Sequence, residues 1–353
     1  YGQYFGQFRG VALMMIDWVT IRVPYENLSD HARAVCLTIG DRITRYCPQT
    51  GDERWTSAAW DSIRSDSHQI ALKAGGAELW IQGSPARVIG RGDAVFGAGA
   101  SAALDLRGCA DHMIRWVAAH MGTDLPGPEA WILSRIDVTE NLALSSLAEV
   151  RQALSILREC EGGRYRVSQQ AGDTVYWSHR SKHRAGKAYA KGPHLTYMMK
   201  KPDYTGCNYT AQEIADANRL LRLELKLGRA WFERHDWLTL KPEELQAEWS
   251  SYFERMIGDA DMTGEDELKK RVMECAPTEG QGKAALGCWA LIQSRGWESA
   301  RELQTRTTWY RNLKILRAAG LGDADLAKGQ VVPIRKRIIE AQAVTSWAQL
   351  HAA

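Results

Sequence analysis

Several features that would settle a function class at once are missing from this chain of 353 residues. No apolar run approaches the roughly 20 residues that a membrane-spanning helix needs. The stretch Val11 to Ile16 is cut by Asp17 and is too short for a signal-peptide core. No Cys-x-x-Cys pair occurs; seven cysteines, an odd number, are scattered from Cys36 to Cys288. That argues against a disulfide framework and a zinc site, and it fits a reducing cytosol. The glycine-rich stretch Gly90 to Gly99 has no following Gly-Lys-Ser/Thr, which argues against a nucleotide-binding P-loop. Charge of one sign is scarce too: a net +3 is too little to prove a nucleic-acid partner. There is no internal repeat and no low-complexity segment.

What is present is local. Hydrophobic content of 45% and charged content of 25% are those of an ordinary globular protein, and the length allows two domains. In the middle lies a basic, aromatic segment, Tyr176-Trp-Ser-His-Arg-Ser-Lys-His-Arg-Ala-Gly-Lys-Ala-Tyr-Ala-Lys191. Arg180, Lys182, Arg184, Lys187, Lys191, Lys200 and Lys201 all fall between Asp173 and Asp203 with no acidic residue among them. Cations gather phosphates, and a tyrosine among lysines is easier to deprotonate and use as a nucleophile. The competing reading is a solvated basic loop with a structural tyrosine.

Period-two alternation marks strands at 17–24 (Val19, Ile21 and Val23 on one face), 78–82, 86–89, 132–139, 174–178, 187–191 and 221–226. In 132–139, Ile132, Ser134, Ile136 and Val138 share one face; Leu133, Arg135, Asp137 and Thr139 share the other. Leu106, Cys109, Met113, Val117 and Met121 recur at helical spacing, and Ser146 with Glu149 forms a capping box before a helix closed by Gly162-Gly163. Beyond residue 227 the texture is helical, with helices expected at 242–256, 264–275, 282–295, 297–304, 307–319 and 335–349. The fold class is α+β, an antiparallel-sheet domain at 15–230 followed by a helical domain at 231–353. Residues 1–14 read as a leader or non-native extension, with Met14 or Met15 as a start.

Three strands each present one polar candidate: Asp137, Tyr189 and Glu224. Placed on one face of a sheet, the two carboxylates would hold a hard divalent cation, Mg²⁺ or Mn²⁺, that polarises a phosphoryl oxygen. Tyr189, flanked by Lys187 and Lys191, would attack the phosphorus. The alternatives are structural ion pairs of Asp137 with Arg135 or Arg222, and of Glu224 with Lys226.

These pieces resemble a known family. Met15-Ile-Asp-Trp-Val-Thr-Ile-Arg-Val-Pro24, Gly83-Ser-Pro-Ala-Arg-Val-Ile-Gly-Arg-Gly-Asp-Ala-Val-Phe-Gly97, Ser134-Arg-Ile-Asp137, Ser181-Lys-His-Arg with Ala188-Tyr-Ala-Lys191, and Leu221-Arg-Leu-Glu224 follow in order. Lys283 to Trp289 and the Val331-Val-Pro333 turn add to them. Together they are similar to the replication initiation endonuclease family of filamentous phage gene II, within the phage/plasmid replication proteins. The resemblance implies a rolling-circle initiator in the bacterial host cytoplasm, without membrane attachment. It would bind duplex and single-stranded origin DNA, nick one strand with Mg²⁺, leave a 3′-hydroxyl, and work with host helicase and polymerase. Tyr189 matches the family's nucleophile. The wider rolling-circle group often carries a His-hydrophobic-His metal motif; here His179 and His183 are four apart and His112 is isolated, which favours carboxylates.

Arg180, Lys182, His183 and Arg184 are candidate phosphate contacts. Trp297 to Leu303, a turn, and Thr307 to Ala319 have the cadence of a helix-turn-helix, with Leu313 and Leu316 inward. Arg306, Arg311, Lys314 and Arg317 make a basic face for a groove, with Arg335-Lys-Arg337 as further contacts. A solvated amphipathic helix has the same pattern. Two other function classes share the scaffold: a non-catalytic origin-binding or copy-control protein, and a phosphodiesterase that uses water as nucleophile.

Overall fold

A computed structural model describes residues 14–39, 42–64, 69–89, 92–97, 105–158, 160, 167, 172–202, 204, 206–257, 265–329 and 341–353. Residues 1–13 of the expected leader, part of the glycine-rich loop, Gly162-Gly163, the Val331-Val-Pro333 turn and Arg335-Lys-Arg337 lie outside the described residues.

The elements run β1 (Met15–Pro24), α1 (Asp30–Thr38), β2 (Arg42–Tyr46), β3 (Glu53–Ala58), β4 (Asp61–Arg64), β5 (Gln69–Gly75), β6 (Glu78–Gly83) and α2 (Pro85–Ile89). Then come α3 (Leu106–Met121), β7 (Ile132–Ala143), α4 (Leu147–Arg158), β8 (Thr174–Trp177), β9 (Arg184–Ala190), α5 (Lys191–Met199), α6 (Ala211–Ala217) and β10 (Leu220–Gly228). The rest is α7 (Arg229–Phe232), α8 (Pro242–Ile257), α9 (Glu265–Cys275), α10 (Glu279–Arg295), α11 (Trp297–Glu302), α12 (Arg306–Ala318), α13 (Asp323–Lys328), β11 (Gln342–Ala343) and α14 (Trp347–Ala352).

One large antiparallel sheet has the order β4-β5-β6-β1-β7-β10-β9-β8, with β11 paired to the end of β7. Its apolar face carries Val19 and Ile21, Ile136 and Val138, Leu223 and Leu225, and Val175 and Trp177. The main core joins these to α1, α3, α4 and α8. The opposite face is polar along the central strands and is covered by α5, α6, α14 and the turn at 92–97, through a smaller core of Val95, Phe96, Leu195, Ala217, Leu220, Val344 and Leu350.

The cores divide the chain differently from the expected boundary at residue 230. The apolar stripe Leu245, Trp249, Phe253 and Met256 of α8 packs into the sheet core, with Trp249 Nε1 donating to the Leu223 carbonyl at 3.4 Å. A separate helical core spans α9 to α13, around Val272, Trp289, Trp309 and Leu316. The chain then returns to the sheet through β11 and α14, where one helix had been expected over 335–349.

Three local departures from simple periodicity shape the polar face. Register shifts on β1 leave Asp17 as an extra residue between Ile16 and Trp18, and on β7 leave Ser134 extra. Each bulge changes which residues face the core. Hence Leu133 is buried with Ile136 instead of joining Arg135. Residues 86–89 form helix α2 and not a strand, because Ser84 Oγ accepts from the Arg87 amide and Pro85 occupies the first turn. Finally β9 ends at Ala190, and Lys191-Gly-Pro starts α5, so Lys191 is a helical residue where a strand position was expected.

Candidate active site

Strands β7, β10 and β9 bring Asp137, Glu224 and Tyr189 to one cavity of about 420 Å³, as their alternation implies. Lys187, Lys191, Asp17, Ser84, Arg135 and His194 also line it. The registers explain the convergence: Glu224 lies opposite Thr139 on one side and Lys187 on the other, and Tyr189 is opposite Arg222.

Tyr189 is only 2% exposed. Its hydroxyl donates to Glu224 Oε1 at 2.6 Å, while Lys187 Nζ donates to Oε2 at 3.2 Å and lies 3.8 Å from the Tyr189 ring centroid. The His194 ring covers Tyr189 from α5, with centroids 4.8 Å apart. The lysines do not make this phenol acidic. Burial and then the Glu224 charge push its pKa well above the usual value. The phenol's one hydrogen-bond acceptor among these contacts is the Glu224 carboxylate. Burial alone would raise the Glu224 carboxyl, but Lys187, Arg222 and the Tyr189 hydroxyl outweigh burial and hold it below its ordinary value.

Asp137 is buried, and Arg135 grips both its oxygens, with Nε donating to Oδ1 at 2.8 Å. Burial raises its pKa; Arg135 opposes this, and the charges of Glu224 and Asp17 add to it. Arg222, wholly buried, donates to Asn141 Oδ1 at 2.7 Å, to Asp17 Oδ2 at 3.1 Å and to the Val95 carbonyl. It thus ties β1, β7 and the turn at 92–97 together behind the cavity. Of the alternative pairings, Arg135 takes Asp137. Lys187 takes Glu224, and Lys226 instead donates to the His179 carbonyl at 2.9 Å.

The carboxylates of Asp17, Asp137 and Glu224 all line the cavity, and their repulsion is felt at Asp137. An oxygen-only donor set of this kind fits a hard divalent cation that completes its shell with water and substrate phosphate. Among the described residues no three ligating side chains close on one point, because each carboxylate leans on a cation.

The other candidates are dispersed. Arg180 and Lys182 are exposed on the β8–β9 turn, and His183, half-buried there, accepts at its carbonyl from the Gly228 amide. Arg184 turns away to Glu248 of α8, with Nη1 to Oε2 at 2.9 Å, because Ser181 Oγ accepts its amide and fixes the turn. This pair ties β9 to α8. In the helical unit, Thr305 caps α12 after a short turn from α11, and Leu313 and Leu316 are buried. Arg311 and Lys314 are exposed. Arg317 is not: its side chain is 19% exposed and donates to the buried Asp323 at 2.7 Å.

Residues missed by sequence reasoning are Asp17, Arg222 and His194. Asp17 had a signal, since it breaks the run Met14-Met-Ile before the alternation starts. His194 follows the Gly192-Pro193 helix start. Arg222, offered above as a partner of Asp137, pairs with Asp17 instead.

Residues 15–252 match the family of replication-associated protein G2P, N-terminal region. The chain belongs to this family, that of the gene II replication initiators. Family membership gives the protein a rolling-circle replication initiator role. Among curated proteins none matches. Among solved structures the chain is similar to a rolling circle replication initiator protein from Geobacillus stearothermophilus, with 11% identity over 67% of this chain and 84% of that one and a TM-score of 0.30. No helix of the described residues is long and apolar enough to cross a membrane.

Proposed function

We propose that this initiator opens its origin by using Tyr189 as a nucleophile on one DNA strand. The observation that carries the reading is the 2.6 Å hydrogen bond from the Tyr189 hydroxyl to Glu224 inside a cavity lined by Lys187, Lys191 and His194. The Tyr189 oxygen attacks the phosphorus and its proton passes to Glu224 Oε1. The bond from phosphorus to the 3′ oxygen breaks, that oxygen leaves as a 3′-hydroxyl after taking a proton from solvent, and the 5′ phosphate stays on the tyrosine. Reversal by another 3′-hydroxyl rejoins the strand. Lys187 balances Glu224 before the transfer and, once Glu224 is protonated, is released to face the phosphoryl oxygens. Asp137 and Glu224 would hold a divalent cation, Mg²⁺ with Mn²⁺ as substitute, which when bound supplies Lewis-acid polarisation of a phosphoryl oxygen.

Origin DNA is the partner, and the exposed stripe of Arg306, Tyr310, Arg311 and Lys314 on α12, together with Arg180 and Lys182, supplies its phosphate contacts. Host helicase and polymerase would act on the product. The test is a nicking assay on supercoiled plasmid carrying the cognate origin, with mapping of the protein–DNA adduct. Tyr189→Phe is expected to abolish open circles and adduct while duplex binding persists. Nicking by the phenylalanine variant at near-normal rate would sink the assignment, and nicks with no adduct in the wild type would favour water as the nucleophile.

A further inference from the structure

The β2–β3 ribbon belongs neither to the main sheet nor to the cavity, yet its surface is aromatic and basic. Trp55 is 47% exposed, Ile43 55% and Tyr46 58%. Arg42, Arg45 and Arg54 are exposed beside them. Among the described residues Arg42 and Arg45 form no ion pair. The ribbon's acids, Asp52 and Glu53, stand at its tip, where Glu53 accepts from Thr56 at 2.6 Å. The base of the ribbon is fixed to β5. Ala58 packs so near Gly75 that a Cβ there would fall 2.5 Å from the Ala58 Cβ, and Lys73 Nζ donates to Ser57 Oγ at 3.2 Å.

Strand registers carry this surface back to the cavity. Arg45 is directly opposite Trp55 and Ile43 opposite Ser57, so the four share one face. Lys73, which reaches Ser57, is opposite Trp80 on β6, and Trp80 is opposite Arg22 on β1. The Arg22 guanidinium pairs with Glu78 and lies 5.4 Å from the Trp80 ring centroid. Trp18 shares the Arg22 face of β1. The Arg135 guanidinium lies 5.7 Å from its ring centroid, and both side chains line the cavity. A tryptophan with an arginine beside or opposite it therefore recurs from cavity to ribbon: Trp18 with Arg135, Trp80 with Arg22, and Trp55 with Arg45.

Unpaired cations alone would suit any polyanion. Indole rings set among them suit a narrower class, because they stack on bases that are not already closed in by a duplex. A single strand offers base faces and phosphates together, and a planar guanidinium can meet either. Resting on the reading of origin DNA as the partner, we infer that the β2–β3 ribbon and the β5–β6–β1 edge of the polar face form a track for single-stranded DNA leading from the cavity. Trp55 and Trp80 stack on its bases, and Arg45 and Lys73 meet its phosphates. Arg22, kept by Glu78, backs the Trp80 ring. The track takes unpaired bases without reading their sequence, and it is separate from the duplex contacts of α12.

The test is fluorescence anisotropy with the full chain in a metal-free buffer. The probes are a labelled oligothymidylate, a chain of the same length made of abasic nucleotides, and a duplex of that length. Trp55→Ala should weaken oligothymidylate binding at least about fivefold, the loss of one stacked base. Trp55→Phe should recover most of it. Affinity for the abasic chain and for the duplex should stay as in the wild type, and an intact abasic affinity also shows that the ribbon is still folded. Arg45→Ala should lower the slope of log affinity against log salt by about 0.7, for oligothymidylate and abasic chain alike. Oligothymidylate affinity unchanged by Trp55→Ala would overturn the inference, as would an equal loss on the abasic chain or the duplex. Tyr189→Phe should bind oligothymidylate as the wild type does, so a failed tyrosine assignment leaves this result standing. A wild type that binds duplex but not oligothymidylate would overturn the track alone, and one that binds neither would overturn the origin-DNA reading with it.

Discussion

Replacing Glu224 with glutamine separates chemistry from stability at the centre of the cavity. Glutamine keeps the shape and can still accept the Tyr189 hydrogen bond through its amide oxygen, but it cannot take the proton. Removing a general base costs about 10²- to 10⁴-fold in rate, which is roughly 3–5 kcal/mol of barrier. The same change deprives Lys187 of its carboxylate. Lys187 is 23% exposed and the contact is 3.2 Å, so water recovers part of the loss. A charged hydrogen bond of this kind contributes about 1–3 kcal/mol, less than the total stability of a typical folded protein, about 5–15 kcal/mol. The Gln variant should therefore remain folded at 25 °C while nicking supercoiled origin DNA at least about a hundredfold more slowly at saturating DNA, with excess Mg²⁺ restoring the lost metal contact but not the lost proton acceptor. The Glu224 carboxyl lies below its ordinary value and that of Asp137 above it, so the rate lost as pH falls should report Asp137 before Glu224. For Glu224 the sign is that of a depressed acid: its contribution to stability is complete above the unfolded pKa and is lost as pH falls through the folded one. Single-turnover nicking with a parallel melting curve decides the matter. A Gln variant within tenfold of wild type would refute Glu224 as the proton acceptor.

The remaining expectations concern the other charges. Asp137→Asn should lower nicking in a way that excess Mg²⁺ partly restores, since a weak oxygen-ligand site responds to mass action. The folded-state pKa of Asp137 is raised, chiefly by burial, so the folded state loses stability as pH rises from the unfolded to the folded value. The Asn variant should thus melt at or above the wild-type temperature at neutral pH, and a lower melting point with unchanged metal dependence would make Asp137 a structural partner of Arg135. Arg311→Ala with Lys314→Ala should reduce the slope of log duplex affinity against log salt by about 1.8, at about 0.9 per phosphate contact, and spare single-strand cleavage; an unchanged slope would remove α12 from the origin contacts. Arg317→Ala should instead destabilise the helical unit, because it strips a guanidinium from the buried Asp323 carboxylate; loss of duplex affinity in a variant of normal stability would restore Arg317 as a DNA contact.

How much of this was legible in the sequence follows from periodicity. Arg222, Glu224 and Lys226 share a face because β10 is a regular strand, and Tyr189 and Lys187 reach the same face from β9. What alternation hides is its own interruption. A bulge adds one residue without changing the apolar pattern around it, so Leu133 falls with Arg135 by alternation while the structure buries it with Ile136. Lys191 was read as continuing the strand because Lys-Ala-Tyr-Ala-Lys has period two, while the Gly-Pro that follows starts a helix instead. Strands β2 to β4 are short and polar and α1 has little apolar stripe, whereas β5 does alternate, with Ile70, Leu72 and Ala74 buried, a signal that sequence reasoning passes over. On α12 the faces were read correctly, but Arg317 is claimed by Asp323, an acid six residues further on and past the helix end.

The charges around the cavity also say how its ligands must enter. Asp137 is held by Arg135, Glu224 by Lys187 and Asp17 by Arg222, so the three carboxylates are balanced within the protein. Lys191 is a further amine among these groups, and burial favours its uncharged form. A phosphodiester brings one negative charge and lets Lys191 take a proton at no net charge. A divalent cation entering alone would bring two positive charges to a place already neutral, and it would compete with Arg135 and Lys187 for their carboxylates. Entering with DNA, it meets phosphate oxygens that can occupy both lysine and arginine. Metal and DNA should therefore bind each other's complexes more tightly than the free protein, by the same factor in either order.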